Sequence, residues 1–402
     1  MSPSTGARRR RANLSWDAPG RQPAAAEGRS ALVESAALRE LRAVMASHVN
    51  QYGFVPFSLR VDLLDRMINF EIADDPLYRG VEVQGFDDPI HGVGIVVFFE
   101  RASDNKVDVY FEKGLSLDPS SYAVGGGLGE WREAEFEVAR FSMSDVGVDV
   151  EVRFADAAGR PIEIAVADRL RKSRRWAAFL APGGAAIQAP KSMPLWWMPR
   201  FDLLRRTGSR PTVRFDGRAA SPGRLPGEWF LRRRLIKIAW GVFVVEINPD
   251  GEDSANTASE VVFAEGAVPR VLAEAGAHST ELRFDPPFPD LTGKVAAESG
   301  KWTLAINRES IIGGQWRVSP QGQDVAVELQ VTQGWRPNRL PLLMHVVTRV
   351  VPTFRKWPTT YRWHSKVTPG ERPEAEGHWE RVGDERGEAY RSFTKSAANS
   401  RN

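Results

Sequence analysis

The chain has no cysteine in 402 residues, which excludes disulfides, thiolate metal sites and cysteine nucleophiles. It has no run of about 18 or more apolar residues, so no segment has the make-up of a membrane-spanning helix. Arg8–Arg11 is not followed by an apolar stretch, so a secretory signal is not expected. G-x-S-x-G, H-E-x-x-H and the P-loop are all missing, which argues against the familiar hydrolases, metalloproteases and NTPases. Histidine is scarce: none of the six pairs with another at i+2, i+3 or i+4, so no metal motif is present. Charge of one sign is also lacking, because 54 basic residues face 51 acidic ones for a net charge of +3. A dedicated nucleic-acid binder needs a concentrated basic face, so nucleic acid is not an expected partner. The absence of cysteine fits a cytoplasmic protein. No cofactor signature is present, and nothing sets an oligomeric state.

What is present is a strand signal. Val146, Val148, Val150, Val152 and Phe154 alternate with Gly147, Asp149, Glu151 and Arg153. That period of two marks a strand with one dry face. A turn over Ala155–Arg160 leads to Ile162, Ile164 and Val166, which predicts an antiparallel hairpin. Val93–Phe99 is a continuous apolar run, Asp104–Asn105 marks a turn, and Val107, Val109 and Phe111 alternate after it. With 13 Trp against 6 Tyr, the aromatics are skewed towards large core fillers or an aromatic-lined pocket.

The order of elements points to five segments. Residues 1–27 are rich in Ser, Pro, Gly, Ala and Arg and are expected to be a disordered tail. Residues 28–76 are expected to be a helical N-terminal segment, with Ser30 as cap and Leu32, Ala36, Leu38, Leu41 and Met45 on one stripe. Within it, Leu59–Phe70 is ambiguous between helix and strand. Two similar β-rich halves, 77–222 and 223–370, come from six short matches in the same order. GGLGEW (126–131) resembles GGQW (313–316), and VDVEVRF (148–154) resembles VAVELQV (325–331). VADR (166–169) resembles VVTR (346–349), so a second copy of the hairpin is expected over Asp324–Arg349. Residues 371–402 form a polar C-terminal tail.

Candidate binding residues lie where the halves differ or end. Trp196 and Trp197, between Pro194 and Pro199, are too apolar for a free loop. They either plug a barrel end or wall an apolar ligand site, with Arg200 beside them. Peripheral membrane contact, with Arg200, Arg205 and Arg206 on phosphates, is a third use of the same stretch. Trp131 and Trp316 follow the two glycine clusters at strand entries. Arg169 and Arg349 end equivalent strands and could cover a barrel end or clamp a carboxylate, while Asp168 is a candidate buried acid. The run Leu231–Ile238 reads as an edge strand guarded by charge.

The Gly–Trp strand entries at 126–131 and 313–316 and the long alternating hairpin over 146–168 give the chain a family likeness. It resembles the tandem lipocalin-like (bipartite calycin) proteins, which include the AttH-like proteins and the carotenoid 1,2-hydratase group. The resemblance implies a mostly β fold with two antiparallel β-barrel halves side by side, each with a cavity. It also implies a hydrophobic, lipid- or isoprenoid-like ligand. An enzyme of the same fold (hydratase, isomerase or cyclase) and a non-catalytic scaffold are the alternatives, and no catalytic residue is matched.

Overall fold

The structure is a computed structural model. It describes residues 54–119, 122, 127–181, 190–224, 228–249, 259–276, 278–334, 345, 348–349, 357–370 and 373–382. The predicted helix over 30–49 and the N-terminal tail lie outside the described residues. The expected C-terminal tail, 371–402, is corrected in part: Glu374–Arg381 is a strand paired with Tyr361–Thr368, and only residues 371–372 and those past 382 lie outside the described ones.

Among the described residues twenty-one strands follow one another. The first eight are β1 (Leu59–Glu71), β2 (Tyr78–Asp88), β3 (Gly92–Arg101), β4 (Val107–Glu112), β5 (Leu128–Ala134), β6 (Phe136–Ser144), β7 (Gly147–Ala155) and β8 (Pro161–Arg169). The next are β9 (Ala177–Ala181), β10 (Met193–Arg205), β11 (Ser209–Phe215), β12 (Arg218–Ala220), β13 (Arg233–Ile247), β14 (Glu260–Ala264) and β15 (Ala267–Ala275). The last are β16 (His278–Pro289), β17 (Glu298–Ile306), β18 (Glu309–Gln321), β19 (Asp324–Gln333), β20 (Tyr361–Thr368) and β21 (Glu374–Arg381). A helical turn, Glu228–Leu231, precedes β13. Among the described residues no helix is long and apolar enough to cross a membrane.

The strands form three sheets. The first runs β5-β4-β3-β2-β1-β13-β10-β9, the second β12-β11-β8-β7-β6, and the third β14 to β21 in sequence order. The second curls into a half-barrel. The hairpin read from alternation is β7–β8, paired from Gly147↔Arg169 to Ala155↔Pro161. Its dry face, Val148, Val150, Val152, Ile162, Ile164 and Val166, is buried against the first sheet.

Several expectations are corrected. Leu59–Glu71, placed in a helical segment, is the first strand and pairs with β13 and β2. Leu59 and Val61 are buried while Arg60 and Asp62 are only partly so, which is strand alternation. Among the described residues the strands do not form two separate closed barrels. β13, on the far side of the 222/223 division, inserts between β1 and β10 and makes the first sheet continuous across it. Its charged start is therefore central, not an edge. The expected second hairpin is half present. β19 is its first strand, but its next partner is β20, and His345, Thr348 and Arg349 are helical. Pro337 and Pro341, which lack a backbone donor, stand where a return strand would have to begin.

The three central strands of the first sheet share one irregularity. Leu64 and Met67, Ala239 and Val242, and Met198 and Phe201 all belong to one core cluster. A spacing of three puts residues on opposite faces of a regular strand. Each strand therefore shifts its alternation by one residue, around Arg66, Trp240 and Arg200, which lie in register. Gly241 supplies a left-handed φ of 67° at this step. On one face, Ile68, Phe70, Ile236 and Ile238 pack on the second sheet, and Val61, Leu195 and Val245 pack on the third. The third sheet is tightened by reciprocal pairs: Gly300 lies opposite Trp316 and Gly314 opposite Trp302. An added Cβ would lie 2.6 Å from the partner indole at either glycine, so only glycine admits the buried ring.

Candidate functional site

The other face of the first sheet carries a cleft of about 70 Å³. Its floor is one cross-strand row, Asp62 opposite Val244 and Val244 opposite Trp196, with Leu64 and Glu246 beside it. Gln84 and Phe86 of β2, His91 from the β2–β3 turn, and Tyr122 close the sides. Period two explains the division of the Trp pair. Trp197 points with Met193 and Leu195 into the core against the third sheet, and Trp196 points into the cleft. Ligand pockets typically enclose roughly 300–1,000 Å³. This cleft has room for one end of a ligand.

The cleft is aromatic on its walls and acidic at its floor. Arg60 holds Glu246 at 3.0 Å and Asp62 at 3.3 Å, so one cation serves two carboxylates. Ser192 Oγ donates to Glu246 Oε1 at 2.6 Å. Burial pushes the Glu246 carboxyl above its ordinary range, and Arg60 and Ser192 only partly oppose this. Burial, with the charge of Asp62 adding to it, also pushes the Tyr122 phenol up. His91 Nδ1 lies 3.0 Å from Asp88 Oδ2, and its ring packs 5.0 Å from Phe86. Burial raises Asp88, but hydrogen bonds from His91 and from the Ile90 N–H outweigh it and hold the carboxyl below its usual range.

A second polar cluster is sealed between the first and second sheets. Arg174 pairs with Asp168, and neither side chain has any exposed surface. The same guanidinium reaches Asp202 at 3.1 Å, and Arg233 lies 3.4 Å from the other Asp202 oxygen. Burial pushes Asp202 up, against the pull of Arg233 and Arg174. From this cluster a stack runs outward. Arg174 lies 5.5 Å from the Trp176 ring, Trp176 meets Trp240 at 6.4 Å, and Arg200 covers Trp240 at 4.7 Å. The strand end of β8, the linker to β9, and β10 and β13 are thereby tied together.

The residues singled out from sequence thus scatter. Trp196 lines the cleft, and Trp131 stands behind it, 5.3 Å from Tyr122 and 5.2 Å from Phe111. Trp197 and Trp316 are core residues. Asp168 is sealed with Arg174, while Arg169 is exposed and pairs with Asp149 at 3.1 Å. Arg200 sits on Trp240 at the outer end of the stack. Arg349 is exposed on a helical segment, so it does not match the strand-end position of Arg169. Asp62, Gln84, Tyr122 and Glu246 were not anticipated. Glu246 alone left a trace, as the first charge after the apolar run Val242–Val245. Among the described residues no group of three or more His, Asp or Glu could hold a metal ion. The chain matches no family model, no curated protein and no solved structure.

Proposed function

We infer that the protein binds a small hydrophobic molecule whose polar head is a cation or hydrogen-bond donor, with the head in the cleft. The observation that carries this is the pairing of the Trp196 indole with the Glu246 and Asp62 carboxylates in one recess. Two carboxylates sharing Arg60 leave an acidic surplus, and an aromatic wall beside it suits an alkylammonium group. The cleft takes the head, and an apolar chain extends across the partly exposed aromatic rim. The lipocalin-like resemblance supports a lipid- or isoprenoid-like tail. The absence of cysteine supports a cytoplasmic setting.

Calorimetric titration with octylamine and octanoate tests the reading. Octylamine is expected to bind one-to-one, octanoate not, and Trp196→Ala to weaken octylamine about tenfold, the equivalent of ~1.4 kcal/mol. Equal binding of the two probes, or none of octylamine, contradicts it. A second reading rests on Glu246. A carboxyl raised by burial is a suitable proton donor for hydration or isomerisation of an apolar substrate. Native mass spectrometry of protein recovered from its own host separates the two. The same retained molecule in the wild type and Glu246→Gln means binding alone, and a different one means turnover.

A further inference from the structure

Away from the cleft, two large aromatic side chains are held in water. Trp229 and Phe230 are each 73% exposed, and their rings meet edge to face at 5.9 Å. They occupy the helical turn before β13. That turn is pinned on both sides. Arg234 reaches Glu228 at 3.6 Å and donates to Ser209 at 2.9 Å, and the Arg206 N–H donates to the Arg232 carbonyl at 3.0 Å. Arg232 itself takes a left-handed φ of 55°, which turns the chain sharply into β13. The aromatic pair is therefore displayed by ordered backbone.

The rim of this pair is basic. Arg205 lies opposite Arg233 across the β10–β13 ladder, and Arg206 is bonded to Arg232. Arg206, Arg210 and Arg232 are exposed, and no ion pair is recorded among the described residues for these three or for Arg205. The nearby acids are already engaged: Asp202 by Arg174 and Arg233, and Glu228 by Arg234. An apolar wedge ringed by free cations matches an anionic bilayer surface. Indole and phenyl rings partition to headgroup depth while guanidinium groups meet lipid phosphates. Single-stranded nucleic acid fits less well, because base stacking needs open ring faces and these two rings are turned against each other.

We propose that Trp229, Phe230 and the arginines around them form a docking surface for anionic membrane. The patch is independent of the cleft, so octylamine binding serves as a control for the fold.

Co-sedimentation with vesicles of phosphatidylcholine and phosphatidylserine at 3:1, and with pure phosphatidylcholine, tests it. The wild type is expected to bind the anionic vesicles and not the neutral ones. Trp229→Ser/Phe230→Ser, which alters only exposed side chains, is expected to lose at least tenfold in vesicle affinity, and Arg206→Gln severalfold. Tryptophan fluorescence should be quenched by brominated lipid in the wild type, with less quenching in Trp229→Phe. No binding to anionic vesicles, unchanged binding of the double variant, or a loss confined to a single-stranded oligonucleotide overturns the proposal.

Discussion

Replacing Arg174 by Met keeps most of the side-chain volume and removes the charge that two buried carboxylates share. Asp168 has no exposed side-chain surface and Asp202 has 6%. Asp202 would keep Arg233 and the Leu203 N–H at 2.9 Å. Asp168 would keep no side-chain partner among the described residues, since its Oδ1 already has none and its Oδ2 meets only Arg174. Breaking a buried pair on one side costs about 3–5 kcal/mol, because it strands a charge in a dry site. The loss at neutral pH is expected in that range, read from urea unfolding followed by tryptophan fluorescence. Its pH dependence has a definite sign. Asp202 is already raised by burial, and losing Arg174 raises it further. A carboxyl raised in the folded state contributes stability that is present below its unfolded value and lost as pH rises through the folded one. The deficit of Arg174→Met should therefore shrink as pH falls through the acid range. The double variant Arg174→Met/Asp168→Leu should recover most of it, since an apolar replacement of the whole pair leaves no stranded charge. A deficit under about 1 kcal/mol, or one that does not change with pH, would refute the reading of this cluster as a sealed clamp.

Two further outcomes follow from local geometry. A Cβ on Gly314 would lie 1.9 Å from the Gln330 carbonyl and 2.6 Å from the buried Trp302 indole, so Gly314→Ala should cost at least about 3 kcal/mol. Gly322→Ala, with open space but a φ of 67°, should cost only about 1 kcal/mol by the same unfolding assay. Glu246→Gln removes a carboxyl whose folded pKa is raised by burial, so the variant should gain stability relative to its parent as pH rises from below the ordinary value of 4.5. Unfolding curves from pH 4 to about 8 measure that gap, and a gap moving in the parent's favour would contradict the burial argument.

Legibility was greatest where one strand face is dry and one wet. The β7–β8 hairpin could be read residue by residue because valine and isoleucine alternate with charge over both arms. The central strands were harder. β13 carries Arg233, Arg234 and Lys237 at its start and reads as an edge, yet Arg233 finds Asp202 and Lys237 finds Asn69 at 3.1 Å. Those partners are remote in sequence, so no local pattern announces them. The one-residue shift of alternation at Gly241 also hides from a periodicity reading, because it looks like a strand losing its pattern. For the cleft, Trp196 was visible as an apolar anomaly. Glu246, Asp62 and Tyr122 were not, since the carboxylates come together only through the order β2-β1-β13-β10, and Tyr122 reaches them from outside those strands.

The most direct test of the binding account is a titration of indole ¹⁵N-labelled protein with octylamine, followed by the Trp side-chain N–H signals. Trp196 is expected to shift in a saturable manner, with Trp302 and Trp316 in the third-sheet core unchanged. A Trp196 signal that does not move, or core signals that move as much, would contradict binding in the cleft.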